Sequence, residues 1–71
     1  MLPLTLAPSG AIFTIRKMTG SDAIRQHLAE LGFVVDEEVQ IINSVSGDSI
    51  VRVKDTRVAI GKDLANRIMV S

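Results

Sequence analysis

Between Glu37 and Gly61 the chain alternates apolar and polar side chains in three short runs, broken by two polar turns. Val39/Ile41, Val51/Val53 and Val58/Ile60 recur at every second position, with Gln40, Arg52 and Lys54 between them. Period two is the repeat of an extended chain, whose successive side chains point to opposite faces of a sheet. Ser46-Gly47-Asp48 and Asp55-Thr56 supply turn chemistry, the first through a glycine free to take φ > 0, the second through an aspartate in a tight hairpin. Three antiparallel strands with one buried face are therefore expected. A meander covers only one side of a core, so the two ends of the chain must supply the rest.

Upstream, Leu2, Leu4 and Leu6 alternate around Pro3 and Thr5, which predicts an extended arm presenting one leucine face, edge-like because of Pro3. Pro8-Ser9-Gly10 reads as a turn. Ala11–Lys17 reads as the first strand, Phe13 and Ile15 on one face, Thr14 and Arg16 on the other. Ser21 is a natural N-cap, with Asp22 at the positive end of the helix dipole. Ile24, Leu28 and Leu31 then fall at i, i+4 and i+7, one helical face, and Gly32 follows directly as a C′ glycine. After Gly61, Lys62–Ala65 reads as one helical turn and Asn66–Val70 as a last strand, Ile68 and Val70 inward. The expected fold is mainly β: a small five-stranded SH3-like barrel, with one α-helix after the first strand and a short helical turn before the last. Closure removes exposed strand edges. An OB-type barrel is the rival, but it places its helix between the third and fourth strands.

Seventy-one residues make one domain, 1–71, and a core that small has little stability to spare. The chain has no cysteine and a single histidine, His27, so neither disulfides nor a zinc site supplements packing. No nucleophile–base pair is available for covalent catalysis, and Glu37 and Glu38, adjacent on a strand, point to opposite faces. Zero net charge argues against a phosphate-tracking surface. With only two phenylalanines and no Trp or Tyr, no aromatic platform exists for stacked bases or proline-rich peptides. The apolar N-terminal run is shorter than a signal-peptide core, and nothing approaches a membrane span. The expectation is a cytoplasmic interaction module that is not an enzyme, carries no cofactor or metal ligands, and binds no nucleic acid.

From Leu4 to Val70 the chain resembles the FeoA family, small cytoplasmic proteins of bacterial ferrous iron uptake and the equivalent domain of metal-responsive repressors. The likeness rests on the leucine-then-glycine opening Leu4 to Gly10, on His27-Leu28-Ala29-Glu30-Leu31-Gly32-Phe33, on Val51-Arg52-Val53 and Val58-Ala59-Ile60, and on the closing Ala65-Asn66-Arg67-Ile68-Met69-Val70. Asp36 and Asp55 stand where turn glycines are common, and His27 where arginine is common. The resemblance implies an SH3-like barrel with accessory or regulatory action. Its implied partner is FeoB, a membrane transporter with a cytoplasmic G-protein domain, which would hold the protein at the periphery of the inner membrane. The alternatives are a freestanding regulatory module of a metal-dependent repressor and a small metal-binding carrier.

A domain without catalytic chemistry acts through its surface. Phe33-Val34-Val35 cannot all point inward from one extended segment, so the helix exit, with Arg25 and His27 at its rim, is the expected partner site. The strand face carrying Arg52, Lys54 and Arg57 is the alternative.

Overall fold

The computed structural model describes residues 1–71. Its elements are β1 (Leu2–Pro3), β2 (Ile12–Met18), α1 (Asp22–Glu30), β3 (Glu38–Val45), β4 (Asp48–Val53), β5 (Thr56–Ile60), α2 (Lys62–Ala65) and β6 (Ile68–Val70), with a 3-10 turn at Leu4–Leu6. The strands form one antiparallel sheet in the order β1-β6-β2-β3-β4-β5. The expected mainly β, SH3-like architecture with its two helices is present, with a sixth, two-residue strand at the N-terminus.

That sixth strand corrects the leucine arm. Leu2 and Pro3 pair with Val70 and Met69, after which the chain tightens instead of staying extended. In a 3-10 turn each residue advances the side chain by about a third of a circle, so Leu4 and Leu6 face different ways. Leu4 is buried, while Leu6 is 70% exposed.

β2 joins the two halves of the sheet. Its first half, Ile12–Thr14, pairs with Gln40–Glu38 of β3; its second half, Ile15–Met18, pairs with β6. A register shift between Ile15 and Lys17 separates the two. Such bulges bend a strand and increase its twist, which lets one strand serve both halves of a curled sheet. The curl is not sealed by hydrogen bonds, contrary to the expected closure. β1 is bonded only to β6 and β5 only to β4, so each ends the sheet.

One core cluster collects Leu4, Ile15, Leu28, Phe33, Val39, Ile41, Val51, Val53, Ile60, Ala65, Ile68 and Val70, with Ala7. Seven of the eight strand residues expected to face inward are in that cluster. Val58 is only half-buried, because it lies on the end strand β5. The helix docks through Leu28, which is fully buried, with Ile24 and Leu31 partly covered. Its start is as expected: the Ser21 hydroxyl oxygen accepts from the Ile24 N–H at 3.3 Å. Its end is a complete Schellman motif. The Gly32 N–H donates to Ala29 O at 3.0 Å and the Phe33 N–H to Leu28 O at 2.9 Å. Gly32 has φ 106°. The turn delivers Phe33 straight into the core beside Leu28, which is the apolar contact that accompanies this motif.

The β4–β5 hairpin turns one residue earlier than the sequence reading. Val53 pairs with Thr56, and the loop is Lys54-Asp55, both left-handed (φ 50° and 60°). A two-residue loop of this kind needs φ > 0 at both positions. Thr56 is β-branched and resists that conformation, so it enters β5 and Lys54 leaves β4 for the turn. Asp36 is also left-handed, φ 74°, as its place at a glycine-favouring turn requires. Neither loop residue between β4 and β5 is glycine. Replacing Lys54-Asp55 by Asn-Gly is therefore expected to raise stability by about 1 kcal/mol, read as a higher urea midpoint at unchanged m-value.

Candidate partner-binding face

Because Phe13, Val39, Val51 and Val53 face the core, their neighbours Ile12, Gln40 and Arg52 face out. The register lines these three up across β2, β3 and β4: Ile12 opposite Gln40, Gln40 opposite Arg52. Arg57 of β5 continues the row opposite Arg52. A groove of about 340 Å³ runs over this row and is lined also by Asp36, Glu37, Glu38, Lys54 and Asp55. Its one apolar residue is Ile12, 62% exposed on a strand whose other apolar side chains are better covered.

The charges around Ile12 are unpaired. The molecule's one ion pair joins Arg25 to Asp22 on α1, an exposed i, i+3 contact. Thus Arg52 and Lys54 share a groove with four carboxylates, yet no carboxylate oxygen lies within 4.0 Å of either. Solvated side chains in this state can reorient toward an incoming partner at little enthalpic loss, since exposed ion pairs contribute only about 0–1 kcal/mol. Arg52 and Arg57 sit directly opposite each other on paired strands, an arrangement that repels.

The helix exit does not assemble as expected. Phe33 is 0% exposed and cannot touch a partner. Val34 is half-buried, leaving Val35, 51% exposed, as the one open apolar residue of the three. Arg25 and His27 are two positions apart, about 200° around the helix, so they occupy opposite flanks of the buried stripe and cannot rim one patch. Arg25 is also held by Asp22. The strand residues fare better: Arg52 and Lys54 line the groove and Arg57 adjoins it, while Arg16 of β2 donates from Nε to Ser71 Oγ at 2.7 Å. The sequence reading passed over Ile12, and it set Glu37 and Glu38 on opposite faces of one strand, whereas β3 begins at Glu38 and both side chains line the groove. The signal for Ile12 was available: alternation from Phe13 and Ile15 puts an isoleucine on the polar face beside Thr14.

The donor set does not fit a resident metal ion. No three histidine or carboxylate side chains converge closely enough to hold one.

A curled antiparallel sheet of short strands with one docked helix defines a small SH3-like domain. Stenotrophomonas maltophilia FeoA, solved as a zinc complex and described as an SH3 domain protein, superposes with a TM-score of 0.80 at 28% identity, covering 100% of this chain and 91% of that one. The FeoA domain model matches residues 2–71, and the chain belongs to the FeoA family. A crystal structure of an iron uptake regulatory protein, also FeoA, matches at TM-score 0.91 and 33% identity over 99% of this chain and 93% of that one. A Methanocaldococcus jannaschii protein provisionally named Fe(2+) transport protein A is 30% identical over 70 residues, 99% of this chain and 85% of its own length. No helix of the chain is long and apolar enough to cross a membrane.

Proposed function

We propose that this protein is a non-enzymatic accessory subunit of ferrous iron uptake, acting in the cytoplasm by binding the G-protein domain of a FeoB-like membrane transporter. Family membership supports the iron-transport assignment, and two relatives carry names tied to iron transport or uptake. The observation that carries the binding surface is Ile12, the one apolar residue of a groove otherwise lined by polar and charged side chains with no ion pair among them. An apolar centre with a polar rim is the anatomy of a transient interface. The transporter holds the protein at the inner membrane only through this contact. The groove carries both signs of charge, which favours a protein surface of mixed charge over a polyanion.

The test compares Ile12→Asp and Arg52→Glu with Val35→Asp, each checked for folding. All three are exposed positions, so the fold tolerates them. The expected result is that the two groove variants lose roughly tenfold or more in affinity for the isolated G-protein domain and fail to support iron uptake in cells, while Val35→Asp retains both. Loss in Val35→Asp with retention in Arg52→Glu would move the site to the helix exit.

A further inference from the structure

The end strand β5 carries backbone groups that the fold leaves unused. Because Lys54-Asp55 is a two-residue loop, Val53 and Thr56 form the closing hydrogen-bonded pair. Antiparallel pairs alternate, so Val58 and Ile60 also turn their N–H and C=O groups toward β4. The N–H and C=O groups of Arg57 and Ala59 face the other way. β5 has no neighbour on that side, and no loop or cap bond uses those groups. On the same strand Val58, an inward position, is left half-covered.

We infer that β5 is a docking edge for an extended acidic segment of a partner protein, which adds to the sheet as a further strand. The occupant follows from charge. Arg57 on its own could be understood as a guard against edge-to-edge pairing. Arg52, directly opposite it on the inner neighbour strand, guards nothing and adds repulsion within the sheet. Neither guanidinium has a carboxylate within 4.0 Å. An acidic residue on the added strand, facing outward beside Arg57, removes that repulsion. The next residue faces inward and covers Val58, so the segment alternates acidic and apolar side chains. A second copy of this chain fits poorly: pairing β5 with β5 about Val58 gathers Arg52 and Arg57 of both copies on one face with no carboxylate between them. The inference rests on the reading of this chain as an interaction module, but not on the identity of the transporter.

The probe is the peptide Glu-Val-Glu-Val-Glu-Val-Glu, blocked at both ends and titrated into the full chain by NMR. The expected result is saturable binding, with slowed amide exchange at Arg57 and Ala59. Arg57→Glu weakens binding roughly tenfold or more, and the analogue with Lys for Glu does not bind. Ala59→Pro removes an outward donor that the fold does not use, a position where an edge strand accepts proline, and abolishes binding. Should that variant unfold, N-methylating the peptide's alternate amides tests the same hydrogen bonds on the unaltered protein, and loss of binding is again expected. Ile12→Asp, in the groove and three strands away from β5, leaves peptide binding unchanged, so failure here and failure of the transporter reading are separate results. Unchanged affinity in Ala59→Pro or with the N-methylated peptide overturns the proposal. So does equal binding of the Lys analogue, or concentration-dependent self-association that protects the same two amides without peptide.

Discussion

Phe33→Ala is expected to destabilise the protein by about 3–5 kcal/mol, the largest effect of any single truncation proposed for this chain. The side chain is fully buried and stands among the largest in the core. Its backbone N–H closes the helix end through Leu28 O, so the cavity opens where α1, the loop and the sheet meet. Domains of this size hold about 5 kcal/mol or somewhat more in total, which makes the loss visible as a large fall in urea midpoint and a substantial unfolded population without denaturant. Val35→Ala, two residues on and half exposed, serves as the control and is expected to change stability by less than about 0.5 kcal/mol. A small effect of Phe33→Ala would mean that the helix–sheet junction is not packed around this ring.

The second large effect is at Gly32. With φ at 106°, any side chain there is strained, and an added Cβ would stand 3.4 Å from Val53 Cγ1. A β-branched residue adds methyl groups to that contact. Gly32→Val is expected to lower stability by roughly 2–4 kcal/mol, backbone strain and crowding together. Gly32→Asn, whose side chain tolerates the left-handed region better, is expected to lose about 1 kcal/mol. Thermal melts of the two variants check this. Equal midpoints would mean that the glycine's conformation is not what terminates α1.

The parts of the fold legible in the sequence are those in which local chemistry and burial agree. Alternation placed Val39, Ile41, Val51, Val53 and Ile60 correctly, and Ser21, Leu28 and Gly32 marked both ends and the docking face of α1. Legibility failed where tertiary constraints decide between local options. Leu2, Leu4 and Leu6 alternate as a strand does, yet only Leu2 finds a strand partner, in Val70, and the chain then tightens to bury Leu4. At Lys54-Asp55-Thr56 two loop placements preserve the same inward faces, and the intolerance of threonine for φ > 0 separates them. At the candidate site, Arg52, Lys54 and Arg57 were legible as one face because alternation carries Arg52 and brings its neighbours along. The acidic residues were legible only in part: alternation from Gln40 puts Glu38 on the same face, but Asp36 and Glu37 precede β3, where the left-handed turn at Asp36 sets their direction. Phe33 was misjudged for the same reason: a run of three apolar residues shows that one must be open, but the Schellman turn decides which.

β6 is late in the chain yet lies inside the sheet, flanked by β1 and β2. Those two strands, made first, have no bonds to each other and wait for β6 to join them. Until β6 is in place β1 has no partner in the sheet, while β2 keeps only its pairing with β3. The β3–β4–β5 meander has no such delay, because its pairings are between neighbours in sequence, and local pairings form fastest. The sheet therefore divides into a run of strands paired in chain order, β2 to β5, and a part that depends on β6 alone. Docking of β6 completes two pairings at once, one with each of the first two strands.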